Sequence, residues 1–266
     1  MKLKFTTKLY LFTNILLTVL RTVQIIFFTD DNGFLTKGHI PFNILAPVIC
    51  VLFLLYTCGN ALISNRKPKT VVNKGWVGFS VSAASGVLYI MAGADSLVSG
   101  VAGGKAVFIL SLAAGFACFL FASSAKFDYN FPKPTALLLI AYWLVQMVIT
   151  YIFYTERPLR VRMVYEVFAV ILCLLFFSTF GKIESGIASA KTFKIFYCLG
   201  LAASTFCFVS AIPEFLAYVF TAGSHVSVTA IPVPALLAGG VFTAYYTINT
   251  FATKKRKRTI PIAEEE

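Results

Sequence analysis

The chain has 266 residues, 58% of them hydrophobic and 13% charged, with a formal net charge of +12. Soluble domains carry about 25% charged residues, so this composition excludes a globular protein wrapped in polar surface and makes lipid the expected solvent. Nor does the positive charge point to nucleic acid, because Lys and Arg stand in short clusters between apolar runs rather than along one amphipathic face.

Crossing about 30 Å of hydrocarbon at about 1.5 Å per residue takes about 20 residues. Runs of that size, punctuated by polar or Gly/Pro residues, predict eight helices, and hence an all-α polytopic transmembrane bundle. In chain order they are Leu9–Phe28, Pro41–Ser64, Trp76–Asp95, Ala106–Ala125, Thr135–Tyr154, Val164–Phe180, Ile195–Ala217 and Ile231–Thr253. The first begins like a signal peptide, but its run is too long, Arg21 interrupts it, and it has no small-x-small cleavage site, so it is expected to be the first membrane span. Residues 1–253 form one transmembrane domain, followed by a short charged tail, 254–266.

Basic residues assign the sides. With the N-terminus inside, the outer segments hold only Lys37, Lys105, Arg157, Arg160 and Arg162, while nearly all other Lys and Arg fall on the inner side. Both termini are therefore predicted cytoplasmic, with the run Lys254–Arg258 anchoring the last helix at the lipid surface. The excess of Lys over Arg and the compact loops point to a bacterial cell membrane.

The halves 1–125 and 126–253 carry a faint repeat. Val23-Gln24 followed by Thr29-Asp30 is matched by Val145-Gln146 followed by Thr155-Glu156, and Ala83-Ala84-Ser85 by Ala202-Ala203-Ser204. Ten residues beyond each of these serines stands an acid, Asp95 or Glu214. Four spans per copy imply two parallel four-helix halves about an axis along the membrane normal.

Arg21 is the most informative residue. It lies two-thirds of the way along the first span, where a cation costs at least about 2.5–3.5 kcal/mol, so it is expected to face the bundle interior. Asn14, Thr18, Arg21 and Gln24 follow at helical spacing and form one polar stripe. The acids that could meet it on the outer side are Asp95, Glu166 and, preferred, Glu214, which follows the helix-kinking Pro213. Gln146 and Thr150 on the fifth span, and Tyr246, Asn249 and Thr250 on the eighth, extend the expected polar lining. Arg157, Arg160 and Arg162 are expected at outer-leaflet headgroups or around an anion-attracting mouth. Small residues four apart, Gly78, Ser82 and Gly86 on the third span and Gly200 and Ser204 on the seventh, predict close helix packing.

No catalytic, nucleotide-binding or cofactor motif is present, so no catalytic residue, metal ligand or cofactor is assigned. His39 and His225 fall in outer loops or at span ends, and Cys50, Cys58, Cys118, Cys173, Cys198 and Cys207 all sit in apolar runs without CxxC spacing, as buried thiols do. The expected partners are the bilayer and a small-molecule or ion ligand. Three functions compete: a transporter or solute-binding membrane protein built around Arg21, Gln24 and Glu214; a non-catalytic subunit whose buried polar groups only hold helices together; and, least favoured, a lipid-modifying enzyme using Glu166 or Glu214 as a base.

Overall fold

The computed structural model describes residues 3–28, 48–53, 55–56, 59, 75–98, 103–127, 135–155, 161–220 and 230–251. Its elements are α1 (Leu3–Phe28), α2 (described over 48–53), α3 (Trp76–Val98), α4 (Gly104–Phe127), α5 (Thr135–Thr155), α6 (Val161–Glu184), α7 (Ala190–Phe220) and α8 (Val233–Phe251). Among the described residues there is no strand, and the chain is an all-α bundle, as its run lengths predict. Most of the second predicted span, the segments with His39, His225, Arg157 and Arg160, and the tail lie outside the described residues, as does the side chain of Arg162.

Local chemistry sets the helix ends. Between α6 and α7, Gly186 takes φ +77°, its N–H donates to the Ile183 carbonyl, and the Ile187 N–H reaches back to Lys182, a C-cap that needs a residue without Cβ. The next helix opens with a reciprocal cap, the Thr192 N–H donating to Ser189 Oγ and the Ser189 N–H to Thr192 Oγ1.

Helices α3 to α8 close into a ring, each packed on the next and α3 returning onto α8. One apolar core fills it, from Tyr89 and Cys118 through Trp143, Cys173 and Phe177 to Phe242. The small residues expected to allow close approach do so: a Cβ on Gly86 would come 3.0 Å from the Gly115 carbonyl oxygen, and one on Gly115 2.9 Å from that of Gly86. On the opposite face α4 exposes Ile109, Leu112 and Phe116, side chains that water would not tolerate in such density. Six helices, α1 and α3 to α7, are long and apolar enough to cross a membrane, and this is the pattern of an integral membrane protein.

Outside the ring, α1 lies along α7. Tyr10 donates to Ser204 Oγ at 2.7 Å, and further along Leu17 shares a cluster with Val209, so both helices advance in the same direction. The described part of α2 runs the other way, with Phe53 beside Tyr10 and Cys50 in the Leu17 cluster. The direction matters for the topology. Helices α3 to α7 alternate, so α3 and α7 point alike; α1 points with them only if α2 carries the chain back across the bundle.

Candidate functional site

Three buried ionisable side chains lie toward the end of the bundle where α5 finishes and α6 begins. Arg21 on α1 is 5% exposed, Glu166 on α6 0%, and Glu214 on α7 9%. They lie seven residues before Phe28, five after Val161 and six before Phe220, each about 8–10 Å of helix from the end.

Two helix registers place them at one level. Along the parallel pair α1/α7, Tyr10 bonds to Ser204 and Leu17 shares a cluster with Val209, two nearly equal offsets that put Arg21 at about the level of Pro213 to Phe215, with Glu214 between them. Across the antiparallel pair α6/α7, Cys173 meets Cys207 sulfur to sulfur at 3.4 Å. Two helical turns onward toward the α5–α6 end, seven residues down α6 and seven up α7, stand Glu166 and Glu214 on the same faces as those thiols.

Arg21 is held by its own helix and by α6. Its guanidinium donates to Gln24 Oε1 and lies 5.0 Å from the centre of the Tyr165 ring. Gln24 is itself buried, so the i, i+3 polar stripe read from the sequence is what turns the cation away from lipid. Glu166 accepts a hydrogen bond from the Tyr154 hydroxyl, which ties the start of α6 to the end of α5. One turn inward from Glu214, Ser210 is 4% exposed and its hydroxyl has no hydrogen-bond partner.

The other residues singled out in the sequence divide. Asn14 is buried at the far end of the stripe, donating to the Tyr10 carbonyl, and its Oδ1 has no partner; Thr18 is half-buried, its carbonyl accepting from Thr22. Gln146 sits inside the ring and donates to the Ala230 carbonyl at 3.0 Å, while Thr150 donates to the Gln146 carbonyl. They link α5 to the approach to α8.

Asp95 stands apart from Arg21. It is exposed, because α3 buries the face carrying Ser85, Tyr89, Ala92 and Ser96 and turns position 95 outward. On the eighth helix Tyr246 pairs with Ser82 at 3.1 Å, close to where α3 begins at the opposite end, and Asn249 is exposed, so neither extends the cluster; the Thr250 side chain lies outside the described residues. Among the described residues no group of three His, Cys, Asp or Glu side chains could hold a metal ion.

Tyr154, Tyr165 and Ser210 were not legible as site residues. Tyrosines near a span end read as interfacial aromatics, and a serine within a membrane helix reads as bonded to its own backbone. Comparison with protein-family models, with curated proteins and with solved structures finds no match.

Proposed function

We propose that the chain is a small-solute or ion transporter, or a solute-binding membrane protein, whose site is the cluster of Arg21, Gln24, Glu166 and Glu214. The observation that carries this reading is the level shared by a buried guanidinium and two buried carboxyls drawn from three helices. Helix packing alone asks for small residues and neutral hydrogen bonds, such as Tyr10 to Ser204 and Ser82 to Tyr246 elsewhere in this bundle. Ionisable groups inside a bundle are costly, and they mark the path of a solute or ion.

The positive-inside pattern supports an orientation with both termini cytoplasmic, which turns the cluster toward the outer face. A solute arriving from outside then meets charged groups of both signs about two helical turns below the surface.

The test is a ligand screen by thermal unfolding of the purified protein, since a ligand that binds only the folded state raises the unfolding temperature by mass action. A ligand that stabilises the wild type and leaves Arg21→Ala unmoved, with Arg21→Ala still inserted and folded, is the expected outcome. If Arg21→Ala merely unfolds at lower temperature and no compound stabilises the wild type, the charged groups serve as helix glue in a membrane subunit.

A further inference from the structure

Helix α5 carries a line of polar residues about one turn apart, Tyr142, Gln146, Thr150 and Tyr154. The first three are buried, and the last reaches the charged cluster through its hydrogen bond to Glu166. Thr150 is bonded within its own helix, and Gln146 gives an amide N–H to the Ala230 carbonyl. Yet Gln146 Oε1 and the Tyr142 hydroxyl, on side chains each 1% exposed, have no hydrogen-bond partner among the described residues. A polar atom buried without a partner is costly, and two of them one turn apart on the same helix call for a common explanation.

The chain opposite this line is not helical. Residues 230–232, which lead into α8, are buried and lie outside any helix, and the bond from Gln146 to Ala230 sets them nine residues, about 13 Å, inside the end of α5. Irregular backbone at that depth in a membrane bundle occurs only where protein encloses it or where it lines water. Beyond Tyr142 the polar line ends. Leu138 and Leu139 come next toward the start of α5, and Phe121, Phe180 and Phe242 pack edge to face across the ring, near the level where Gly181 approaches Ala136.

We propose that this face of α5 lines a hydrated path that begins at the charged cluster and ends in a water-binding site at Gln146 and Tyr142. Water suits both atoms: it donates to Gln146 Oε1, and it either donates to the Tyr142 hydroxyl or accepts from it. An ion does not, since an amide and a hydroxyl carry no charge to offset it in a medium of low dielectric. The aromatic layer closes the path, so water enters from one side of the bundle only. The inference goes beyond the solute site proposed for the cluster and rests on that reading only for its entrance.

The probe is water itself, enriched in oxygen-18, and the experiment is X-ray hydroxyl-radical labelling of the purified full chain in detergent, mapped by peptide mass. Radicals do not travel through packed protein, so a buried side chain is labelled only where ordered water touches it. Tyr142 is expected to react about five-fold faster than Tyr10, a comparably buried tyrosine whose hydroxyl is bonded to Ser204. Tyr142→Phe, which removes only the hydroxyl, is expected to lower the unfolding midpoint by roughly 2–4 °C, whereas deleting a hydroxyl that nothing satisfies would raise it. Labelling of Tyr142 no faster than that of Tyr10, or a midpoint raised by Tyr142→Phe, overturns the proposal. If Tyr142 is labelled and no compound stabilises the protein, the hydrated path stands and the solute site falls. If a ligand acts through Arg21 while Tyr142 stays unlabelled, the solute site stands and the path falls.

Discussion

Cys173 and Cys207 touch at 3.4 Å in the fully buried seam between α6 and α7 and remain two free thiols. Their contact fixes the register that puts Glu166 level with Glu214, and it is closed to reagents from either lipid or water. With an uncharged maleimide in native micelles, half-buried Cys198 is expected to react well before Cys118, Cys173 and Cys207, all 0% exposed. Peptide mapping of the modified protein provides the readout. Labelling of Cys173 or Cys207 at the rate of Cys198 would mean that the α6/α7 seam opens and that the carboxyl register drawn from it does not hold.

The guanidinium of Arg21 rests over the Tyr165 ring, and in a desolvated setting such a contact is worth about 2 kcal/mol. Tyr165→Phe retains a ring face and is expected to change stability little. Tyr165→Leu, of comparable apolar character but without a quadrupole, should lower it by about 1–2 kcal/mol in detergent unfolding. Equal losses in the two variants would show that the ring acts through its volume and that the charge finds its support elsewhere.

At Gly115 the obstacle to a larger side chain is backbone. A Cβ there meets the Gly86 carbonyl oxygen and Ile90 Cγ1, both at 2.9 Å, and only the second can move aside. Gly115→Ala should therefore push α3 from α4 and cost roughly 1–3 kcal/mol, the usual range for overpacking. Gly186→Ala is also unfavourable, but for a different reason: it has open space around it and a φ of +77°. A stability series in one detergent separates them, because a second substitution that trims Ile90 rescues Gly115→Ala in part and leaves Gly186→Ala unchanged.

Much of this architecture is written in the run lengths. Lipid demands about 20 apolar residues per crossing, and the chain answers with runs whose ends fall near those of the helices, as at Phe28, Trp76 and Thr135. The polar stripe was legible because Arg21 and Gln24 sit three apart and a buried cation must have company. What the chain does not declare is which helix touches which. Asp95 and Glu214 hold equivalent places relative to their Ala-Ala-Ser triplets, yet one is exposed and the other buried, because burial depends on the neighbour each face meets. The level shared by Glu166 and Glu214 becomes readable only once the Cys173–Cys207 contact has set the two helices in register.

The two tryptophans report opposite environments, and this makes the bundle's position in lipid measurable. Trp143 is 0% exposed, donates its indole N–H to the Tyr89 hydroxyl at 3.0 Å and stacks near Phe177 at 6.5 Å. Trp76 opens α3 and is largely exposed, with the Lys126 ammonium 4.5 Å from its ring and also close to Phe79 and Phe127. An ammonium among rings at the junction of a helix start and a helix end is what a membrane–water boundary asks for: apolar surface for the ring, headgroups for the charge. In vesicles, spin-labelled lipids with the label at the headgroup should quench Trp76, measured alone in Trp143→Phe, more strongly than lipids labelled at the chain terminus. The Trp143 signal, isolated in Trp76→Phe, should respond weakly to both, shielded as it is by α3, α6 and α8. If the terminally labelled lipid quenches Trp76 the more strongly, α3 begins deep in the bilayer, and the depth assigned to Arg21, Glu166 and Glu214 from helix lengths fails with it.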